Sequence, residues 1–331
     1  MRRSRGALSS PSMLSRRELV VGGGVALAGC RTDPAPTSSS GPVIVAPTTA
    51  RSVIKVVDAQ GTRDGAGVAL KRALGNRALS MLDPFLMLDE FRSDDPEDYG
   101  AGFPNHPHRG FETVTYMLEG AMEHRDSVGN HGRLVPGSAQ WMTAGHGIVH
   151  SEMPKQERGV MWGYQLWVNL PRARKLIAPR YQDIAPGRIP VLERDGATVR
   201  VVAGSAFGAT GPVSGIDVDP LFCDLTFARG AELEVPIASD HNAFVYVNEG
   251  AVRIGPRGGA RPEIRAGQLA VLGPGSAMQV CCDAQNGRLL VFAGRPIGEP
   301  VARGGPFVMN TDAEIRQAWE EYRAGTLLSG A

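Results

Sequence analysis

Short runs of alternating apolar and polar residues, each closed by Gly, Pro, Asn or Asp, recur from about residue 52 to residue 294. Side chains of a strand point alternately to two faces, so this pattern predicts β-strands rather than helices. Residues 52–58, FETVTYML (111–118), MEHRD (122–126), RLVP (133–136), SAQWMTA (138–144), IVHSE (148–152) and YQLWVNL (164–170) read as strands of a first half. TVRVVAG (198–204), CDLTFA (223–228), AFVYVN (243–248), VRI (252–254), QLAVLG (268–273), MQVCC (278–282) and LLVFAG (289–294) read as strands of a second. A helical pattern fits only near the end. There Thr311 can cap DAEIRQAWEEYRAG, acidic residues fill the first turn, and Gly325 can stop it.

The two halves repeat each other in register. Tyr116, Glu119 and Gly120 recur as Tyr246, Glu249 and Gly250, an offset of 130 that Gly137 with Gly267 and Gly145 with Gly275 also keep. Shared turn chemistry could produce one such match, whereas five in register indicate two copies of one β-domain. At 331 residues and 42% hydrophobic content the chain can bury two sizeable cores. Gly 42 and Pro 24 suit an all-β chain with many turns. The formal charge is +1, and no basic stripe interleaved with aromatic residues appears, which argues against nucleic acid as a partner.

The N-terminus reads as an address rather than as part of the fold. SRRELVVGGGVALAGC joins Arg16-Arg17 to an apolar run from Leu19 to Ala28 and then to Leu27-Ala28-Gly29-Cys30. This resembles a twin-arginine signal with a lipobox, covering residues 1–30, and implies a mature chain that begins at a lipidated Cys30. The apolar run is too short to span a bilayer comfortably. Residues 31–51, with the Pro/Ser run TDPAPTSSSGP, read as a disordered tether. The expected product is an exported, lipid-anchored monomer that touches the membrane through Cys30. Cys223, Cys281 and Cys282 are an odd number without zinc or redox spacing, so buried thiols are expected.

Two i, i+2 pairs carry the candidate chemistry. His106-Pro-His108 and His150-Ser-Glu152 offer three imidazoles and one carboxylate, and on strands each pair would project two ligands into one space. Such a donor set suits one divalent first-row metal and leaves positions open for substrate, water or dioxygen. Glu112 competes for the carboxylate position and could replace Glu152 or join it, because His106, His108 and Glu112 share strand parity. The offset of 130 carries the four positions onto Pro236, Ala238, Val280 and Cys282, so a metal is expected only in the first half. His124 and His131 read as solvated turn positions, His241 as structural, and His146 as an exposed loop residue or a gate at the barrel mouth.

HPHRGFETVTYMLEG, QWMTAGHGIVHSEMP and GPFVMNTDAEIRQA, with LDPFLMLDEF (82–91) and YQLWVNLP (164–171), resemble the pirin family of bicupins over roughly residues 52–325. The resemblance implies two cupin barrels (double-stranded β-helix, jelly-roll) packed face to face, followed by a short C-terminal helix. The first barrel would span 52–180 and the second, lacking ligands, 181–310, with the helix over 311–325. It implies one iron, Fe(2+), held by His106, His108, His150 and Glu152, with Glu112 beside the site; Mn, Ni, Cu and Zn accept the same donors. It places Arg109, Phe111 and Trp141 around that site in packing and hydrogen-bonding roles. It also implies either quercetin 2,3-dioxygenase-type turnover of a flavonol or catechol-like substrate with dioxygen, or a non-enzymatic metal-dependent binding or regulatory role. In the enzymatic case Glu152 would be both ligand and proton acceptor.

Overall fold

The computed structural model describes residues 48–283 and 286–329. The twin-arginine pair, the lipobox with Cys30 and most of the tether lie outside the described residues. Among the described residues no helix is long and apolar enough to cross a membrane.

The strands form two jelly-roll barrels of one plan, each a seven-stranded antiparallel sheet facing a four-stranded one. In the first barrel the large sheet centres on Phe111–Glu119, Met161–Asn169 and Phe85–Ser93, and the small sheet runs Phe103–His108, Ile148–Pro154, Met122–Asp126, His131–Leu134. In the second the large sheet centres on Asn242–Glu249, Gly287–Gly294 and Leu221–Phe227, and the small sheet pairs Glu232–Pro236 with Ala277–Cys281. The alternation along the central strands decides what each face meets. Val114, Tyr116, Tyr164 and Leu166 of the first large sheet pack against Phe222, Phe244, Tyr246 and Phe292 of the second, so the barrels meet face to face. Each such side chain, fully buried, contributes roughly 1.5–3 kcal/mol. The alternate residues Val245, Val247, Leu225 and Val291 fill the second barrel, whose interior is apolar.

The repeat also organises the polar groups of this interface. Tyr116 donates to Asp224 across it at 2.8 Å, and its repeat mate Tyr246 donates back across it to Glu90 at 2.7 Å. Arg288 pairs with Asp224 through two bonds of 2.9 and 2.6 Å, and Trp162 Nε1 donates to Glu90 at 2.9 Å, so both buried carboxylates are satisfied.

Four expectations are corrected. Strand Val53–Asp58, read as part of the first half, pairs with Gln268–Leu272 of the second barrel. The chain is already fixed there before residue 52, because buried Arg51 donates to the carbonyls of Gly273, Ala238 and His241 at 3.0, 2.7 and 2.9 Å. Conversely, Arg180–Ile184 pairs with Ala139–Thr143 of the first barrel, so residue 181 is not where one barrel ends and the other begins. Finally, the offset of 130 slips on one strand: Pro236 and Ala238 are exposed, whereas Val235 and Ile237 point inward with Val280 and Cys282. A one-residue slip moves every side chain to the opposite face.

After the second barrel the chain returns to the first. The hairpin Ala302–Gly304/Phe307–Met309 docks there, Val308 N–H donating to the Arg109 carbonyl at 3.0 Å. Helix Asp312–Arg323 follows with the expected start and stop: Thr311 and Glu314 form a capping box, and Gly325 takes φ +73°.

Candidate metal centre

His106 and His108 project from one strand of the small sheet, and His150 stands directly opposite His106 on the neighbouring strand. Alternation and cross-strand pairing therefore aim all three rings into the first barrel. One ring nitrogen from each lies within 4.8 Å of the others. His106 Nδ1–H donates to the Pro104 carbonyl at 2.8 Å and His108 Nδ1–H donates to the Pro306 carbonyl at 3.3 Å. Those bonds fix the tautomers, leaving the two Nε2 lone pairs facing each other 3.0 Å apart. Both nitrogens of buried His150 lack a partner. Burial, and then the neighbouring imidazoles, push His108 and His150 well below the ordinary histidine range, so both are neutral at pH 7. Neutral, inward, unpartnered nitrogens are what a divalent cation requires of its ligands. Among the described residues no other group of three or more ligating side chains converges in this way.

Glu152 shares the face of His150 and lines the same cavity as His106 and His108. Its carboxylate accepts from Gln165 Nε2 and from the Thr115 hydroxyl, each at 2.8 Å, and it stands outside the trio of converging imidazoles. Glu112 is elsewhere. Gly110, at φ +84° and so tight against Val308 that an added Cβ would overlap its carbonyl, breaks the chain between His108 and Phe111. The parity shared by residues 106, 108 and 112 ends at that turn. Phe111 packs on His108, their ring centroids 5.1 Å apart, while Glu112 turns to the opposite face, where Thr143 donates to it at 2.6 Å. Desolvation pushes the Glu112 carboxyl up to about 7.

Three further expectations change. His124, read as a solvated turn residue, is 1% exposed, carries two unpartnered nitrogens, and lies 5.4 Å from the His150 ring. Its partner across the sheet is Glu152, which puts it on the interior face. The signal was present in MEHRD, where buried Met122 and His124 alternate with Glu123 and Arg125. Trp141 packs on the face toward the second barrel rather than around the imidazoles. His146 is half-buried and does not line the cavity. As expected, His131 is exposed and pairs with Glu123 at 3.1 Å. Arg109 is buried, bonding Glu321 of the C-terminal helix at 2.6 Å.

The cavity beside the imidazoles holds about 840 Å³, a size suited to a multi-ring organic molecule. Polar groups of His106, His108, Glu152 and Gln165 face walls that include Phe91 and Trp167.

The chain matches the family described as Pirin over residues 67–168 and that described as Pirin C-terminal cupin domain over residues 222–328. A Pirin-like protein of Caulobacter vibrioides is 49% identical over 277 residues, 83% of this chain and 98% of that protein. Pirin of Mus musculus is 44% identical over 262 residues, 78% of this chain and 88% of its own. The crystal structure of quercetin 2,3-dioxygenase from Acinetobacter baumannii superposes with a TM-score of 0.77 at 31% identity, covering 84% of this chain and 99% of that one.

Proposed function

The chain belongs to the pirin family, and from that premise we propose that it is an iron-dependent cupin that oxygenates a flavonol or related enol with dioxygen as co-substrate. The observation that carries the reading is the set of three converging imidazoles, His150 without a partner and the Nε2 atoms of His106 and His108 facing each other, set beside an aromatic-walled cavity. The likeness to a quercetin 2,3-dioxygenase supports the substrate class. His106, His108, His150 and Glu152 would hold the ion. A bound divalent metal would act as a Lewis acid toward an enol whose hydroxyl and keto oxygens chelate it.

The residues of the chain supply the remaining functions. Gln165 and Thr115 orient the Glu152 carboxylate, the base within the cavity best placed to accept the enol proton. Phe91, Phe103 and Trp167 bury the aromatic rings and displace water from beside them. Iron-loaded protein should consume oxygen with quercetin, and His106→Ala should abolish the uptake. Reversible flavonol binding with no product and no oxygen uptake would instead establish a metal-dependent binding protein.

We also propose that the chain is exported by the twin-arginine route and anchored at the cell envelope through Cys30, a reading supported by Arg16-Arg17 and Leu27-Ala28-Gly29-Cys30. Such a location favours small-molecule chemistry over contact with the transcription machinery. Cys30→Ser should move the protein out of the membrane fraction; an unprocessed wild-type chain in the cytoplasm would end this reading.

A further inference from the structure

We propose that Arg303 selects the substrate: its guanidinium receives an oxygen substituent that a planar enolate carries away from its chelating pair. The inference rests on the reading of the cavity as the substrate site and extends it to the class of substrate accepted.

Arg303 belongs to the hairpin that returns from the second barrel, so its position is tied to the metal ligands. Pro306 of that hairpin accepts from His108 Nδ1–H, and Val308 N–H donates to the Arg109 carbonyl. The guanidinium carbon lies 4.6 Å from the centroid of the Trp167 ring, and that ring stands 5.3 Å from His108. The negative face of an indole attracts a cation placed over it, so the guanidinium has less side-chain freedom to lose when a ligand binds.

What sets Arg303 apart is that, among the described residues, no carboxylate hydrogen-bonds or ion-pairs with it; Asp89 and Asp64 act on it only at longer range. The other cavity arginine, Arg72, is held by carboxylates, with two bonds to Asp89 of 2.8 and 2.7 Å and one to Asp64 of 2.8 Å. Arg303 has five donors, and among the described residues its polar contact is the Met87 thioether at 3.6 Å, a weak acceptor. Arg303 is exposed to solvent and at the same time lines the cavity shared with His106, His108 and Glu152, so a ligand seated there can reach its guanidinium.

Charge and shape narrow the ligand. Asp64 and Asp89 balance Arg72 and Arg303, and Glu152 against a divalent ion leaves one positive charge, which an enolate monoanion neutralises once Glu152 has passed the enol proton on to solvent. Leu70, Met87, Phe91, Phe103 and Trp167 give that anion apolar walls suited to a flat aromatic body. The planar guanidinium fork then reads a hydroxyl or carboxylate at the far end of that body. A bare enol lacking the remote oxygen leaves the fork unused.

The test is equilibrium binding to full-length protein loaded with zinc, which binds without redox turnover. The probes are quercetin, which has remote hydroxyls, and 3-hydroxyflavone, which has only the chelating pair. Arg303→Gln should weaken quercetin at least tenfold and 3-hydroxyflavone less than twofold, with zinc content and melting temperature unchanged. Equal weakening of both probes, or of neither, overturns the role of Arg303 while leaving the cavity as the substrate site. Failure of the wild type to bind either probe overturns the substrate reading itself. A variant that unfolds is replaced by Arg303→Lys, which keeps the charge and the cover on Trp167 but not the fork; it should lose affinity for quercetin selectively, and unchanged selectivity counts against the proposal.

Discussion

Glu112→Gln should make the protein more stable at pH 8 while leaving its metal in place. The wild-type carboxyl is 2% exposed, and one of its oxygens has no partner. Burial raises it from 4.5 to about 7 against the opposing bond from Thr143. A raised carboxyl pKa means that the folded state binds the proton more tightly than the unfolded state. Its contribution is therefore fully favourable below pH 4.5 and is lost as the pH climbs through 7. The span corresponds to about 3 kcal/mol, lost by the wild type and not by the neutral amide. Urea unfolding of both metal-free proteins at pH 5 and pH 8 measures it, since other titrating groups cancel in the difference. The gain on substitution should be near zero or slightly negative at pH 5 and about 2–3 kcal/mol at pH 8. A gain that does not grow with pH refutes the burial argument, and loss of metal from the variant refutes the placement of Glu112 away from the site.

Two predictions accompany it. Glu152→Ala should lower metal affinity by at least tenfold in a chelator competition, whereas affinity equal to wild type would remove Glu152 from the ligand set. Lys175→Met should cost about 3 kcal/mol in urea unfolding, because the ammonium bonds Gly110 O at 2.7 Å, Asn169 Oδ1 at 2.7 Å and Val308 O at 3.1 Å, and its loss strands three buried acceptors; a cost under 1 kcal/mol would show that those acceptors find other donors.

Features encoded by neighbouring residues were legible in the chain, and features encoded by distant pairing were not. The helix at Asp312–Arg323 carries its own start in Thr311 and Glu314 and its own stop in Gly325, so no tertiary knowledge was needed. The His106/His108 pair projects its rings to one face by alternation alone, which is why the imidazoles could be named. Glu112 misleads on the same rule, because one glycine turn between His108 and Phe111 resets the parity and alternation cannot cross it. The edge exchange of Val53–Asp58 depends on a partner more than 200 residues away, and no local pattern records which sheet an edge strand joins. His124 was readable, since it alternates with Glu123 and Arg125, but polar flanks masked an interior position. Arg303 could not be placed from sequence, for its meaning comes from Trp167 and from having no carboxylate bonded to it among the described residues.

The family resemblance favours Glu152 over Glu112 as the carboxylate, a choice that alternation alone leaves open; in the structure Glu152 lines the cavity and Glu112 does not. The Glu152 oxygens are held there by Thr115 and Gln165.

The central claim is that the three imidazoles bind a metal. Elemental analysis of wild-type protein and of a variant with His106, His108 and His150 all changed to alanine, each checked for native circular dichroism, tests it most directly. The expected result is one equivalent of a first-row divalent metal in the wild type, predominantly iron, and less than a tenth of an equivalent in the variant. A folded variant that keeps its metal, or a folded wild type that takes up none when supplied with iron, manganese, nickel, copper or zinc, would contradict it.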